Sequence, residues 1–397
     1  MDELFDLTPD RRGSGSYKWD TADGQDIIPL WVADMDFKAA PVIMDALRAR
    51  VEHGVFGYTY VPDEYYRAVE HWYSRRYSVA LGHDVRPVYT QGVVPAISAT
   101  IKALTRPGDG VAVMTPVYNC FFSSIRNNGC VMVDVPLVRV DGNDDFTYEI
   151  NFELLETVLR DDRVPVLLMC NPHNPACRAW SRGELQRVYD VCRRTGTILL
   201  SDEIHGDIIM PGHTFTPVAS LDGNPLAHTV TFSSPSKAFN IAGLQIANII
   251  TSSPRLRYLI DRAINDNEVC DVNPFGVAAL IAAYNHGSGW LDGLIDYIYG
   301  NYRYLVDALG RRLPQVKVAR LEATYLAWLD VSSISMPDDE LEEYLKDNYR
   351  VWFNAGSMYG SKGFLRVNLA TSRARLAEGL DRMFDGLGAL LKDNRLG

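Results

Sequence analysis

The 397-residue sequence is poor in the features that mark several protein classes. Its six cysteines, Cys120, Cys130, Cys170, Cys177, Cys192 and Cys270, include no C-x-x-C pair, and several lie in apolar runs. A disulfide-stapled scaffold is excluded by this length and spacing, and buried thiols in a reducing compartment are expected. Basic residues are in deficit, 39 Lys plus Arg against 50 Asp plus Glu, for a net charge of −11 without any long basic block. Such a balance repels a phosphate backbone, so nucleic acid is not an expected partner. The longest apolar stretches, such as 275–284, fall well short of the ~18 residues that a membrane span needs. The N-terminal MDELFDLTPDRRGSGSYKWD is acidic where an export signal is basic and has no apolar core, so the expectation is a cytoplasmic protein with no membrane partner.

Phosphate and metal motifs are missing too. There is no G-x-G-x-x-G and no G-x-x-x-x-G-K-[ST], which leaves nucleotide binding by either loop unsupported. Residues 141–145 imitate the start of a calcium loop, but Phe146 stands where glycine is required and Phe152 where glutamate is. His205 and His213 lie eight apart with no H-E-x-x-H, so no metal site is expected.

What is present is the composition of a folded globular chain, 47% apolar and 22% charged, long enough for two domains. From about residue 90 to residue 285, short apolar runs alternate with amphipathic segments, the α/β pattern. The runs 110–115, 164–171, 197–202 and 229–234 read as buried strands. Helices are expected at 95–104, 181–194 and 241–245, the second opened by a Ser181/Glu184 capping box. After about residue 286 come a long helical stretch at 290–313, strand candidates at 316–331, an acidic helix at 337–347 and a final strand–helix pair. The division this suggests is a large domain, 45–285, and a small α+β domain made of 1–44 and 286–397.

The chemistry-bearing residues cluster at the ends of the predicted strands, where open α/β sheets bind ligands. Asn171-Pro-His-Asn174-Pro follows 164–170, Asp202-Glu203 follows 197–201, and Ser233-Ser234-Pro-Ser236-Lys237 follows 229–232. Taken singly these are Asx-Pro turns, a helix cap and a serine-rich loop with a solvated lysine. In this order and spacing they resemble the fold-type I enzymes that use pyridoxal 5'-phosphate, the superfamily of class I and II aminotransferases, over nearly the whole chain. The resemblance implies a mostly parallel seven-stranded sheet covered by helices on both faces, plus the smaller α+β domain.

It also implies roles. Lys237 would hold the cofactor as a Schiff base and then act as the base at the substrate Cα. Asp202 would keep the cofactor ring nitrogen protonated. Asn174 would donate to the ring oxygen, and Tyr118 would stack on the ring and join Lys237 and Asp202 in catalysis. Val93, Val94, Ser234, Ser236 and His205 would complete the cofactor site. For the phosphate, Gln91-Gly-Val93-Val94-Pro95-Ala96 is expected to open a helix with Pro95 first, so that N–H groups near Val94 and Ala96 face an anion. Tyr60 resembles a tyrosine that reaches the phosphate of a neighbouring subunit, which implies a homodimer with shared active sites. Residues 364–369 alternate as a strand does, with Phe364, Arg366 and Asn368 on one face. Arg366 is either a structural ion-pair partner or, by the resemblance, the clamp for a substrate carboxylate, beside Asn174, Trp31 and Ala33.

Pro29-Leu-Trp31-Val-Ala33-Asp34-Met-Asp36-Phe37, Gly57-Tyr-Thr-Tyr60 and Ser234-Pro-Ser236-Lys237-Ala-Phe-Asn-Ile-Ala-Gly-Leu are similar to the MalY/PatB-type cystathionine β-lyases. Gln245, eight residues after the lysine, stands where many aminotransferases carry a phosphate-binding arginine. The expected activity is therefore a carbon–sulfur β-lyase acting on a small amino-acid substrate, with an aminotransferase and a regulatory binding protein as the other readings. Ala176 and Cys177 depart from the Val-Gly usual in relatives, and Cys177 is either a packing residue or a reactive thiol.

Overall fold

The computed structural model describes residues 2–22, 26–82 and 85–393. Its centre is a seven-stranded sheet with spatial order Val88–Thr90, Ala247–Ile250, Thr229–Ser233, Ile198–Asp202, Val166–Cys170, Gly110–Val113 and Val131–Asp134. All neighbours run parallel except Ala247–Ile250, which is antiparallel to both strands beside it. The four central strands are buried along almost their whole length because both faces are covered. Leu167, Met169 and Leu199 enter one core with the helix Arg182–Thr195, while Val166, Leu168, Cys170 and Leu200 enter the other with Val93–Leu104 and Pro254–Asn265. Each fully buried Leu or Val there contributes about 1.5–3 kcal/mol, so the strand positions are strongly fixed.

A second, six-stranded sheet has the order Asn354–Ala355, Phe364–Asn368, Leu326–Asp330, Lys317–Ala319, Asp145–Glu149 and Val138–Asp141. Its outer hairpin comes from the middle of the chain, joined by the parallel pairing of Val318 with Asp145 and Ala319 with Phe146. A division at residues 45 and 285 therefore leaves the hairpin 138–149 apart from the sheet it completes. Ile28 and Pro29 of the N-terminal segment pair in parallel with Val351 and Trp352. Residues 1, 23–25 and 394–397 of that division, and 83–84 of the large part, lie outside the described residues.

Two local expectations need correction. Residues 241–245 form a single 3-10 turn, Ala242–Leu244, rather than a helix, and Gln245 leaves it at a φ of 51°. Five residues including Gly243 are too few to nucleate an α-helix before the chain turns into the next strand. The helix expected to begin at Pro95 begins at Val93, with Gly92 as its N-cap at φ 152° and ψ 163°, a conformation that needs glycine. Pro95 thus sits third, and Ala96 N–H is spent on Gly92 O at 3.1 Å.

The thiols are all free, but not all buried as expected: Cys120 is half-buried at the start of the helix Cys120–Asn127, and Cys270 is exposed in the loop between the helices Pro254–Asn265 and Pro274–His286. Among the described residues no helix is long and apolar enough to cross a membrane.

The capping box ahead of Arg182–Thr195 is present: Glu184 N–H donates to Ser181 Oγ at 3.3 Å, and Ser181 N–H to Glu184 Oε2 at 2.8 Å. Replacing Ser181 with Ala should lower unfolding stability by about 1 kcal/mol, read as a shifted urea midpoint with an unchanged slope.

Candidate active site

A cavity opens where the carboxyl ends of the central strands meet the segment 31–37. Strand 166–170 ends in a polar loop that delivers Asn174, strand 198–202 delivers Asp202 and then His205, and strand 229–233 delivers Ser236 and Lys237. The first turn of Val93–Leu104 forms the floor with Gly92, Val93 and Val94, and Tyr118 closes one side. Ala33 roofs it. Of the residues singled out in the sequence, Lys237, Tyr118, Asp202, Val93, Val94, Asn174, His205, Ser236 and Ala33 line this one cavity.

The others lie elsewhere. Ser234 is committed inside its own turn, donating to Ile246 O at 2.5 Å and accepting from Ser236 N–H at 3.0 Å. Its hydroxyl braces the lysine loop instead of facing the cavity, a departure from the expected ligand role. Trp31 turns its ring away to stack on Trp352, centroids 4.1 Å apart, and only its carbonyl reaches the site. Tyr60 is 79% exposed and outside the cavity of its own chain. Arg366 is buried behind the lining: one terminal nitrogen lies 3.4 Å from Asn174 Oδ1, the other 3.1 Å from Trp31 O, and its Nε is buried without a partner. Its guanidinium also lies over the Tyr359 ring at 4.5 Å, so the ion-pair reading gives way to an arginine with unspent donors.

Burial sets the electrostatics. Lys237 is lowered to about 8, mainly by desolvation and then by the Arg366 charge. Asp202 is raised to about 7 by desolvation, against the Ile204 N–H at 3.1 Å and the charge of Lys237. His205 falls to about 3 through burial and the charges of Lys237 and Arg366, so it is neutral near pH 7. Glu203 points away from the cavity, accepts from Val218 N–H, Ser201 and Asn171, and is raised to about 8 by burial. Neighbouring residues on a strand end thus face opposite sides.

The loop carrying Asn174 is held from below. Arg178 pairs with Glu322 at 2.8 Å and Glu184 at 3.0 Å, and His173 contacts Pro116 O at 2.9 Å. Cys177 takes a left-handed φ of 62°, and its carbonyl accepts from the N–H groups of Glu322 and Ala323. Its thiol is fully buried, 3.2 Å from the carbonyls of Pro175 and Leu326, and burial raises its pKa strongly. It is a packing residue, since an exposed, depressed thiol is what reactivity requires.

Sequence reasoning missed Tyr325 and Asn354, and it met Asn240 and Asn368 only as members of the segments 234–244 and 364–369 without their anchoring roles. No local signal marks those roles, because they act on backbone carbonyls distant in sequence.

The residues suit a phosphorylated pyridine aldehyde. Asp202 is buried with the Ile204 N–H as its donor and Lys237 acting only through space; among the described residues no cation touches it, and a protonated ring nitrogen would supply one. The Val93 and Val94 N–H groups have no intrahelical acceptor and face the cavity as an anion site. Tyr118, Pro172, Ile204 and Ile246 give apolar walls for a flat ring. With cofactor removed, Lys237 should be acylated half-maximally near pH 8, well below ordinary lysines, as followed by peptide mass spectrometry.

The comparisons agree with this geometry. The family model for class I and II aminotransferases matches residues 25–383. The chain is 40% identical to cystathionine β-lyase PatB of Bacillus subtilis (strain 168), covering 96% of this chain and 98% of that protein. It is 32% identical to protein MalY of Escherichia coli (strain K12), covering 98% and 100%. The crystal structure of cystalysin from Treponema denticola, described as containing a pyridoxal 5'-phosphate cofactor, superposes with a TM-score of 0.92 at 35% identity, covering 97% and 99%. Fold, site and relatives together place the chain in the class I and II aminotransferase family, with the cystathionine β-lyases of the MalY/PatB kind.

Proposed function

We propose that Lys237 binds pyridoxal 5'-phosphate covalently and that the protein is a carbon–sulfur β-lyase, cleaving L-cystathionine or related S-substituted L-cysteines to a thiol, pyruvate and ammonia. The observation that carries this reading is the meeting of a lysine held near 8, a buried carboxylate and two helix N–H groups in one cavity.

The cofactor supplies an electron sink that acidifies the substrate Cα–H. Val93 and Val94 would hold its phosphate through backbone N–H groups, and Asp202 would pair with its ring nitrogen. Asn174, whose Oδ1 is taken by Arg366, has its amide N–H groups to offer the ring oxygen, and neutral His205 adds no competing charge. Arg366 receives the substrate carboxylate through its unspent donors, which fixes the Cα–H toward Lys237. Once the substrate amine has displaced it from the cofactor, Lys237 would take that proton and could return it to the thiolate that leaves Cβ, and the three-carbon remainder would add water and lose ammonia to give pyruvate. Gln245 at the cavity wall supports the lyase over the transaminase, since it offers no cation to the phosphate.

A homodimer with shared sites is also inferred. Val51, Val55, Phe56, Tyr58 and Tyr60 form an exposed apolar stretch in which Tyr58 is 99% accessible, more than a lone monomer surface favours. We further place the enzyme in the cytoplasm, which suits six unbridged thiols.

The purified enzyme should release pyruvate, ammonia and thiol from L-cystathionine over many turnovers without a 2-oxo acid; a strict need for the oxo acid would make it an aminotransferase. Lys237→Ala should lose the visible band of the lysine-bound cofactor. Asp202→Asn should lower kcat/KM roughly 100-fold, as loss of one preorganised charge does. Mixing Tyr60→Ala with Lys237→Ala protein should restore part of the activity, and no restoration would argue against shared sites.

A further inference from the structure

The segment 31–37 crosses the cavity as irregular chain, yet each carbonyl from Trp31 to Met35 accepts from a side chain. Trp31 O is taken by Arg366 and Asn354, each at 3.1 Å. Asn368 Nδ2 donates to both Val32 O and Asp34 O at 2.6 Å. Asp34 O also receives Lys18 at 3.3 Å, and Met35 O receives Arg11 and Asn240, each at 3.0 Å. Between the two oxygens clipped by Asn368 lies Ala33 O, which accepts from Lys237 Nζ at 2.6 Å and from Tyr325 Oη at 2.8 Å.

This is costly construction if it only closes a surface. A loop normally satisfies its backbone with water, and replacing water by fixed amides removes the freedom of the peptide planes. Asn368 is almost wholly buried and is itself locked, its Oδ1 accepting Ala370 N–H at 2.8 Å. Tyr325 is fully buried, its ring edge-on to His205 with centroids 6.0 Å apart. Asn240, three residues beyond the lysine, ties the lysine loop to the same segment through Met35 and Phe37. The outcome of all these bonds is one carbonyl oxygen held in a fixed direction at the lysine nitrogen.

We propose that Ala33 O is the docking acceptor for the Lys237 amine whenever that amine is not bonded to the cofactor, and that Asn368 and Tyr325 are positioning residues that aim this oxygen. The inference rests on Lys237 being the cofactor lysine. By occupying one N–H, the carbonyl limits the rotation of a long, flexible side chain and leaves the nitrogen lone pair turned toward the substrate Cα. Lysine otherwise loses up to about 2 kcal/mol of side-chain entropy in reaching one orientation, and the contact meets that cost before the proton transfer. Among the described residues, Arg366, Asp34, Asp202, Cys120 and His205 act on the amine through space, Tyr118 shares its cavity, and Tyr325 shares its acceptor.

The test uses the full-length chain in two forms. In cofactor-free protein, acylation of Lys237 is followed against pH by mass spectrometry in the parent, in Asn368→Ala and in Tyr325→Phe. A carbonyl acceptor favours the charged amine, so losing its aim should move the midpoint down, by about half a unit in Asn368→Ala and less in the isosteric Tyr325→Phe. In the loaded enzyme, kcat should fall roughly tenfold, the equivalent of one hydrogen bond, with a smaller change in KM and an unaltered visible band. If Asn368→Ala does not fold, Tyr325→Phe carries the test alone. Midpoints unchanged in the variants that fold would overturn the proposal even if kcat dropped. Failure of pyridoxal 5'-phosphate to protect Lys237 from acylation in the parent protein would instead overturn the cofactor assignment.

Discussion

A lysine and a carboxylate enclosed in one poorly solvated cavity are the constraint around which the molecule is arranged. In water Lys237 would be charged and inert as a base, and Asp202 would be charged and indifferent to its surroundings. Enclosure moves the first down to about 8 and the second up to about 7, so that each lies within reach of proton exchange near neutrality. Neither shift arises from a specific partner in the first instance; burial is the leading cause for both. The parallel sheet creates that burial, because its central strands need apolar cover on both faces and its polar residues are displaced to the strand ends.

The second requirement is a roof, supplied by the N-terminal segment and not by the sheet. Residues 31–37 have no regular structure with which to pair their backbone. They borrow donors from Phe364–Asn368, from the lysine loop and from the N-terminal Arg11 and Lys18. A buried charge cluster anchors the end of the segment: Asp36 accepts from Lys18 at 3.1 Å and Trp19 at 2.9 Å, and these partners hold its pKa down to about 2 despite the desolvation that pushes it up. Pairing of this kind contributes specificity of placement more than net stability. The placement matters because Arg366 and Ala33 come from one side of the cavity and Lys237 and Asp202 from the other.

Much of this was legible in the chain. The buried strands read as strands because an apolar run between turn signals has few other solutions, and each was found with its ends within two residues of the expected positions. The capping box was legible because it is local. The short strands Val88–Thr90 and Ala247–Ile250 and the hairpin 138–149 were not, since three to five residues carry little periodicity and the strands beside which they lie are far away in sequence. The turn at 242–244 was misread as a helix for the same reason of length.

Lys237, Asp202, Asn174, Tyr118, His205, Ser236, Val93, Val94 and Ala33 were all named from the sequence, and they meet in one cavity. Residue type and order at strand ends brought Asn174, Asp202, Ser236 and Lys237 together, because the ends of parallel strands lie along one edge whatever the details of packing, and the family resemblance supplied the rest. Only tertiary structure decided that Ser234 spends its hydroxyl on Ile246, that Trp31 contributes a carbonyl and not its ring, and that Cys177 is sealed. It alone decided that Asn368 and Tyr325 hold the oxygen facing the lysine. The physical reason is range: strand and cap signals act over a few residues, whereas hydrogen bonds between segments some three hundred residues apart exist only once both have been folded against the same core.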